Sequence, residues 1–381
     1  MKMINNCVSA FDVVEVEQNR VVFANCSYNS ICELDLKTGK CKIVYIFDGE
    51  TPFSDTLYKR CVKNGEMIFF APGRAKQIAI YNYKTNKCQY ISLCESNGMY
   101  NERVNQTDAI GMVFAVDGFV YMCGFYFPGI LKIEAATLKV TYINDWVEEV
   151  DKRIPEGDTC GFIGYGYWES NDYIYLPISG APGILKINKH DDKTEIIWID
   201  TNVNGFGALS YHDNKLWLIE SRSKTGILTT YDLKKQKMEE IKYGVANDKY
   251  HPYNTPFFEG DMILLMPIKE DEALAIDINS KKTEVIEKMI AFTKGTPSFF
   301  VENILFSKRI GNYIYLESGI DYRWYKFDII NDKIEMLDLE IDNYDYMYEG
   351  VLTRIRNNEE TLLKEEQIGL SNYINILKNV D

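Results

Sequence analysis

The stretch Val21–Ile46 reads VVFANCSYNSICELDLKTGKCKIVYI, and its second half decides the fold. Asp35 is followed five positions later by Lys40. The same spacing of an acidic or amide residue to Lys returns in Asn82/Lys87, Glu134/Lys139, Asn188/Lys193, Asp232/Lys237, Asp277/Lys282 and Asp328/Lys333. Successive first members lie 47, 52, 54, 44, 45 and 51 residues apart, a period that belongs to radial all-β repeats. The residue before each first member is apolar or aromatic (Leu34, Tyr81, Ile133, Ile187, Tyr231, Ile276, Phe327). So is the residue four after each Lys (Val44, Ile91, Ile143, Ile197, Ile241, Ile286, Leu337).

Upstream of each pair lies a run rich in aromatic and β-branched residues: RVVFANC, EMIFFAP, GFVYMCG, DYIYLPI, NKLWLIE, DMILLMP and NYIYLES. Short runs of this composition between Gly, Asn, Asp and Lys read as strands. Each copy therefore holds four strands, a to d, with the Asp…Lys pair bracketing the c–d hairpin. Asp or Asn there bonds the backbone two residues on, and Lys keeps the tip solvated. Turn chemistry accounts for the pairs; a ring of functional salt bridges is the weaker reading, since exposed pairs contribute little. A four-stranded unit cannot bury both faces alone, whereas seven around an axis can. The sequence predicts an all-β, seven-bladed β-propeller over residues 1–345, with 346–381 a C-terminal extension carrying an amphipathic α-helix. The b–c turn even repeats as a string, Pro128-Gly129-Ile130-Leu131-Lys132-Ile133 and Pro182-Gly183-Ile184-Leu185-Lys186-Ile187.

With the apolar strand ending in Ala24-Asn25, the short loop and Leu34-Asp35-x-x-Thr38-Gly39 in hand, one repeat of Val21–Ile46 resembles a repeat of the YVTN, NHL and SMP-30-like propellers. The resemblance concerns architecture. The Gly-Gly doublet of Kelch repeats and the Gly-His and Trp-Asp of WD40 repeats are missing from the copies. The resemblance implies binding on the face built by the d–a and b–c connections. Loop lengths agree: the d–a connections include IFDGETPFSDT, LCESNGMYNERVNQTD, NDWVEEVDKRIPEGDT and YGVANDKYHPYNT. Long loops on a rigid scaffold are where function usually sits.

The chain has 381 residues, 46% hydrophobic and 13% aromatic, so it can build a large core. Its formal charge of −14 argues against a nucleic-acid backbone and an anionic membrane surface as partners. No apolar run of signal-peptide or membrane-span length occurs, and the nine cysteines, an odd number with no Cys-x-x-Cys, suit a reduced cytoplasmic setting.

A softer repeat stands where the d–a loops enter strand a: Asp55-Thr56, Thr107-Asp108, Asp158-Thr159, Asn204, Asn254-Thr255 and Thr296, with Ser9 as the first-blade equivalent. These residues either satisfy backbone groups as the chain turns inward or form a polar cup for a small polar ligand or a metal. Asp55, Asp108 and Asp158, with Asn204 and Asn254, are oxygen donors suited to Ca²⁺ or Mg²⁺. SMP-30-like lactonases hold a metal in such a place, and streptogramin lyases, another seven-bladed family, use a mouth-facing His as base. Of His190, His212 and His251, His251 alone lies in a mouth-facing loop, with no carboxylate partner fixed by spacing. Arg60 and Arg103 could bind a carboxylate or phosphate, and Tyr100, Trp146, Phe206 and Tyr253 could form a stacking wall. Gly161-x-x-Gly164-x-Gly166 has no helix after it, so the dinucleotide reading fails and close approach at the axis explains it better.

Past the blades, Asn357–Asn379 reads as a helix with an Asn357/Glu360 capping box and an apolar face of Leu363, Leu370, Ile374 and Leu377. That face docks on the propeller or on a partner. The sequence thus points to a binding propeller for a small ligand or a protein, using its d–a face without chemistry of its own. The alternative is a metal-dependent hydrolase or lyase with His251 or a metal-bound water as base. Both end blades contain four strands of their own, so the ring can close without strand exchange, but the sequence leaves the manner of closure open.

Overall fold

The computed structural model describes residues 8–26, 29–47, 56–93, 110–154, 161–244, 247–295 and 302–342. They form seven antiparallel sheets in chain order: blades 1 to 7 at 14–46, 58–92, 112–143, 168–198, 206–242, 257–285 and 304–336. This is the seven-bladed propeller that the repeat predicts. Within each blade, strands a to d pair in sequence. Blade 5 is representative, with a at Phe206–His212, b at Lys215–Glu220, c at Ile227–Asp232 and d at Lys237–Lys242. Two short α-helices, Val147–Asp151 and Ile290–Thr293, lie in the connections before blades 4 and 7. The predicted C-terminal helix lies outside the described residues.

The near-continuous apolar runs of strand b follow from burial on both faces. Side chains alternate across a strand. In blade 2, Ile68 and Phe70 join the core shared with blade 1, whereas Phe69 and Ala71 join the core shared with blade 3. The other adjacent pairs share cores in the same way, through to blades 7 and 1. The blades are glued by these interfaces, each burying many side chains at about 25 cal/mol per Å² of apolar surface.

The Asp…Lys repeat is turn chemistry. Asp35 Oδ1 accepts the N–H groups of Lys37 (2.8 Å) and Thr38 (2.9 Å), and Asn82 and Asp232 do the same in their blades. Asn188, Asp277 and Asp328 likewise accept turn N–H groups, from His190, Ser280 and Asn331, while Glu134, one carbon longer, takes the Thr137 hydroxyl. The residue just before each Lys is left-handed: Gly39, Asn86, Leu138, Asp192, Gln236, Lys281 and Asp332, with φ between 52° and 75°. Sequence reading missed this shared conformation, because only one of the seven is glycine. The lysines pair elsewhere, Lys193 with Asp191 and Lys282 with Glu284 among them.

Blade 1 keeps four strands of its own, as expected, and a short extra strand adds the latch. After blade 7, Glu340–Ile341 runs parallel to the outer strand Lys40–Ile46 of blade 1, opposite Lys40 and Cys41. Inside the ring, the Trp324 indole N–H donates to Val8 O (3.1 Å), and Ala10 N–H donates to Glu317 Oε2 (2.8 Å). A ring closed this way leaves little exposed sheet edge at the seam.

Candidate functional site

The inner strands bring polar side chains from distant parts of the chain to the axis. Strand a of blade 2 (Tyr58–Asn64) carries Arg60; strand a of blade 7 (Ile304–Ile310) carries Ser307, Lys308 and Arg309. Blade 4 contributes Tyr165 and Tyr167, the segment entering blade 6 Asn254 and Thr255, and the segment entering blade 1 Asp12. Together they line a cavity of about 320 Å³.

Blade 4 comes so close to the axis because of its glycines. Tyr165 N–H donates to Gly207 O (2.7 Å) and Leu209 N–H to Tyr165 O (2.8 Å), so its inner segment pairs directly with blade 5. A Cβ at Gly164 would stand 2.5 Å from Gly207 O, and one at Gly166 2.1 Å from Leu209 O. The glycine run is therefore a close-packing device, as read from sequence. It also shortens the regular part of this inner strand to Trp168–Glu169.

Arg60 is held rigidly. Its Nη1 donates to Phe11 O (2.6 Å) and its Nε to Gly111 O (3.2 Å), while the guanidinium lies 4.9 Å from the Tyr165 ring centroid. Lys308 Nζ sits 3.1 Å from Asp12 Oδ1, and that carboxylate holds the lysine above its usual pKa. The lysine side chain is still 44% exposed, within the ring's interior channel. Arg309 pairs with Glu259 (2.6 Å) and donates to Phe258 O.

Of the polar residues singled out from sequence, Arg60, Asn254 and Thr255 meet in this cavity. Asn254 also serves the backbone: its Oδ1 accepts Thr255 N–H (2.9 Å) and its Nδ2 donates to Ser307 Oγ (3.0 Å), tying blade 6 to blade 7. Thr56 is buried, and its carbonyl accepts Arg74 N–H (3.3 Å); Asn204 is half-buried in the turn before blade 5. Neither lines the cavity. Asp55, Arg103, Thr107, Asp108, Asp158 and Thr159, including all three carboxylates proposed for a metal, lie outside the described residues, as do Tyr100 and Thr296. Trp146, Phe206 and Tyr253 belong to interblade cores and form no stacking wall, because aromatic rings at those positions close gaps between adjacent sheets.

His251 stands at the axis, at the d–a end. Its ring centroid is 3.8 Å from that of Phe125 and 6.0 Å from that of Tyr165. These residues belong to blades 3 and 4 and to the approach to blade 6, and they can meet only near the axis. The residue itself is left-handed (φ 50°), and its buried Nδ1 has no hydrogen-bond partner among the described residues. Burial, helped by the positive charge of Lys269, pushes its pKa down to about 3, so the imidazole is neutral.

Sequence reading missed Asp12, Ser307, Lys308 and Arg309. The available signal was the pair of adjacent cations inside the otherwise apolar inner strand ILFSKRI, matched by Arg60 in YKRCVKN.

No family model matches the chain, and no curated protein matches it in sequence. Solved structures do match. Virginiamycin B lyase from Staphylococcus aureus superposes with a TM-score of 0.59 at 12% identity, covering 84% of this chain and 95% of that one. A catalytically inactive histidine-to-alanine variant of that enzyme with quinupristin gives 0.61 at 13% identity, covering 86% and 97%. The extracellular domain of a one-component system from B. thetaiotaomicron gives 0.56 at 10%, covering 84% of this chain and 38% of that one. At these identities the likeness is one of fold, and it agrees with the resemblance to YVTN/NHL-like propellers.

Proposed function

We propose that this protein is a binding propeller that takes a small polar ligand on its axis and performs no chemistry of its own. The observation that carries this is convergence. Arg60, Thr255 and Lys308, contributed by three different blades, line one cavity together with Asn254, Ser307 and Tyr167. Its volume lies at the small end of the range for ligand pockets, and its lining mixes aromatic rings with a few placed polar groups. The long d–a connections read from the sequence are the natural place for a protein partner to dock. A thermal-shift screen of a metabolite library tests the reading, with hits measured again on Thr255→Val. Hits whose shift is lost in that variant support the axial site; a screen in which no shift depends on Thr255 overturns it.

A second reading, a lyase, is favoured by one observation: the buried, unpartnered Nδ1 of His251 beside the axis, in a fold shared with virginiamycin B lyase. Against it stands the lowered pKa, since an imidazole so reluctant to take a proton is a poor base near neutral pH. Incubation with quinupristin, followed by chromatography, separates the readings. Conversion that disappears in His251→Ala establishes the lyase, and an unchanged compound supports the binding propeller.

A further inference from the structure

We infer that the axial cavity selects an anion, a small molecule bearing a carboxylate or phosphate, and that the ligand enters from the a–b turn end, opposite the d–a loops. This rests on the axial-ligand reading above and adds the class of ligand and its route.

The charge argument starts from the whole chain. It carries a formal −14, yet among the described residues the cavity wall holds three cations, Arg60, Lys308 and Arg309, against one carboxylate, Asp12. Glu259 answers Arg309 at the rim. Arg60 spends its Nε and Nη1 on backbone carbonyls, which orient the charge without neutralising it. Lys308 has one carboxylate contact and a 44% exposed side chain, so its ammonium keeps donors for a ligand. A cation inside a low-dielectric ring acts more strongly than one on an open surface. The hydroxyls of Thr255, Ser307 and Tyr167 stand in the same wall and suit the remaining oxygens of such a ligand. A neutral or cationic guest would leave the excess positive charge uncompensated.

The route follows from strand register. In blade 7, Ile304 pairs with Ser318 at the d–a end, and Arg309 pairs with Ile314 beside the a–b hairpin. In blade 6, Phe257 pairs with Leu264, next to the hairpin at Glu259 and Met262. Arg309, Phe257 and Tyr167 therefore lead the cavity toward the a–b end. At the other end the Phe125–His251 ring contact and the Arg60–Tyr165 stack stand across the axis. The described wall is thus roofed at the d–a end.

The test is titration calorimetry of the full chain at low ionic strength with inorganic phosphate, citrate, succinate, the neutral succinamide and the diamine putrescine. Lys308→Met, Arg309→Met and Thr255→Val serve as variants, each first checked for an unchanged folded spectrum. The expected result is saturable binding of at least one anion, weakened at least tenfold in Lys308→Met or in Arg309→Met and weakened by added salt. Phosphate without succinate or citrate identifies a phosphoryl ligand, and the reverse a carboxylate; either supports the inference. Succinamide or putrescine binding in a Thr255-dependent way at equal or better affinity overturns the anion inference while leaving the axial site standing. No Thr255-dependent binding of anything overturns both. Anion binding indifferent to both cation variants and to Thr255→Val marks a surface association and overturns the inference. For the route, Phe257→Trp, with an unchanged folded spectrum, enlarges the side chain beside the blade 6 a–b hairpin and should slow association about tenfold in stopped-flow; an unchanged rate overturns entry from that side.

Discussion

The backbone N–H of Ala10 donates to Oε2 of Glu317 at 2.8 Å, joining residues that stand 307 positions apart in the chain. This one bond ties the entry to blade 1 to strand b of blade 7 (Tyr313–Ser318), with the carboxyl fully buried. Burial pushes the Glu317 pKa up to about 8 from its ordinary 4.5, against the lowering effect of the Ala10 N–H. The folded state therefore holds the proton that the unfolded chain releases. The stability this carboxyl contributes is complete below pH 4.5 and is lost as pH rises from 4.5 to 8, by about 1.4 kcal/mol per unit and at most about 5 kcal/mol in all. In Glu317→Gln, which keeps an acceptor for Ala10 and cannot ionise, urea midpoints measured from pH 5 to 8 should lose this downward slope. A variant as pH-sensitive as the wild type would refute the assignment.

His251 acts in the opposite sense and in a different window. Its pKa is lowered from 6.5 to about 3, chiefly by burial, so the unfolded chain takes up protons that the folded one refuses. Stability conferred by the neutral ring is complete above pH 6.5 and declines as pH falls toward 3. The ring signals of His251 in an NMR titration should stay those of neutral imidazole down to pH 5. His251→Phe, which keeps the contact with Phe125, should raise acid resistance between pH 4 and 6. A midpoint near 6.5 for His251 would show that the ring is open to solvent.

Gly39 carries the latch. It is left-handed (φ 75°), and a Cβ there would lie 2.0 Å from Asp338 O, in the segment that brings the last strand onto blade 1. Gly65 has a similar φ of 61° with nothing within 4 Å. Gly65→Ala should therefore cost about 1 kcal/mol from backbone strain alone, and Gly39→Ala at least twice that, the difference reporting the seam. Hydrogen exchange at Glu340 N–H, which donates to Gly39 O (2.9 Å), should accelerate in Gly39→Ala and not in Gly65→Ala. Equal losses in the two variants would mean that the latch does not hold the ring.

The repeated c–d turn offers stabilising changes. Gln236 and Lys281 are exposed and left-handed, with φ of 52° and 59°. A non-glycine residue there costs roughly 1–2 kcal/mol, part of which glycine's own entropy returns. Gln236→Gly and Lys281→Gly should each raise stability by about 0.5 kcal/mol in urea melts. Leu138→Gly should gain nothing, because Leu138 also packs on the core between blades 2 and 3. A loss in all three would show that the turns are not strained.

The sequence by itself determined the blade count, the four strands per blade, the c–d turns and the role of the blade 4 glycines. Each is a local pattern: a two-residue alternation, a turn within six residues or a backbone too crowded for a Cβ. Local chemistry writes such features into neighbouring residues, so Asp35 and Lys40 announce their hairpin wherever the blade ends up. The long d–a loops were legible too, but as length and composition without geometry. Tertiary structure alone decided which side chains share the axis. Lys308 meets Asp12 because closing the ring sets blade 7 beside blade 1, and Phe125 meets His251 because the ring brings distant blades together at its axis; both separations in sequence carry no local signal. The latch at Glu340–Ile341 was hidden for the same reason: two paired residues are too short to read as a strand until blade 1 is placed beside them.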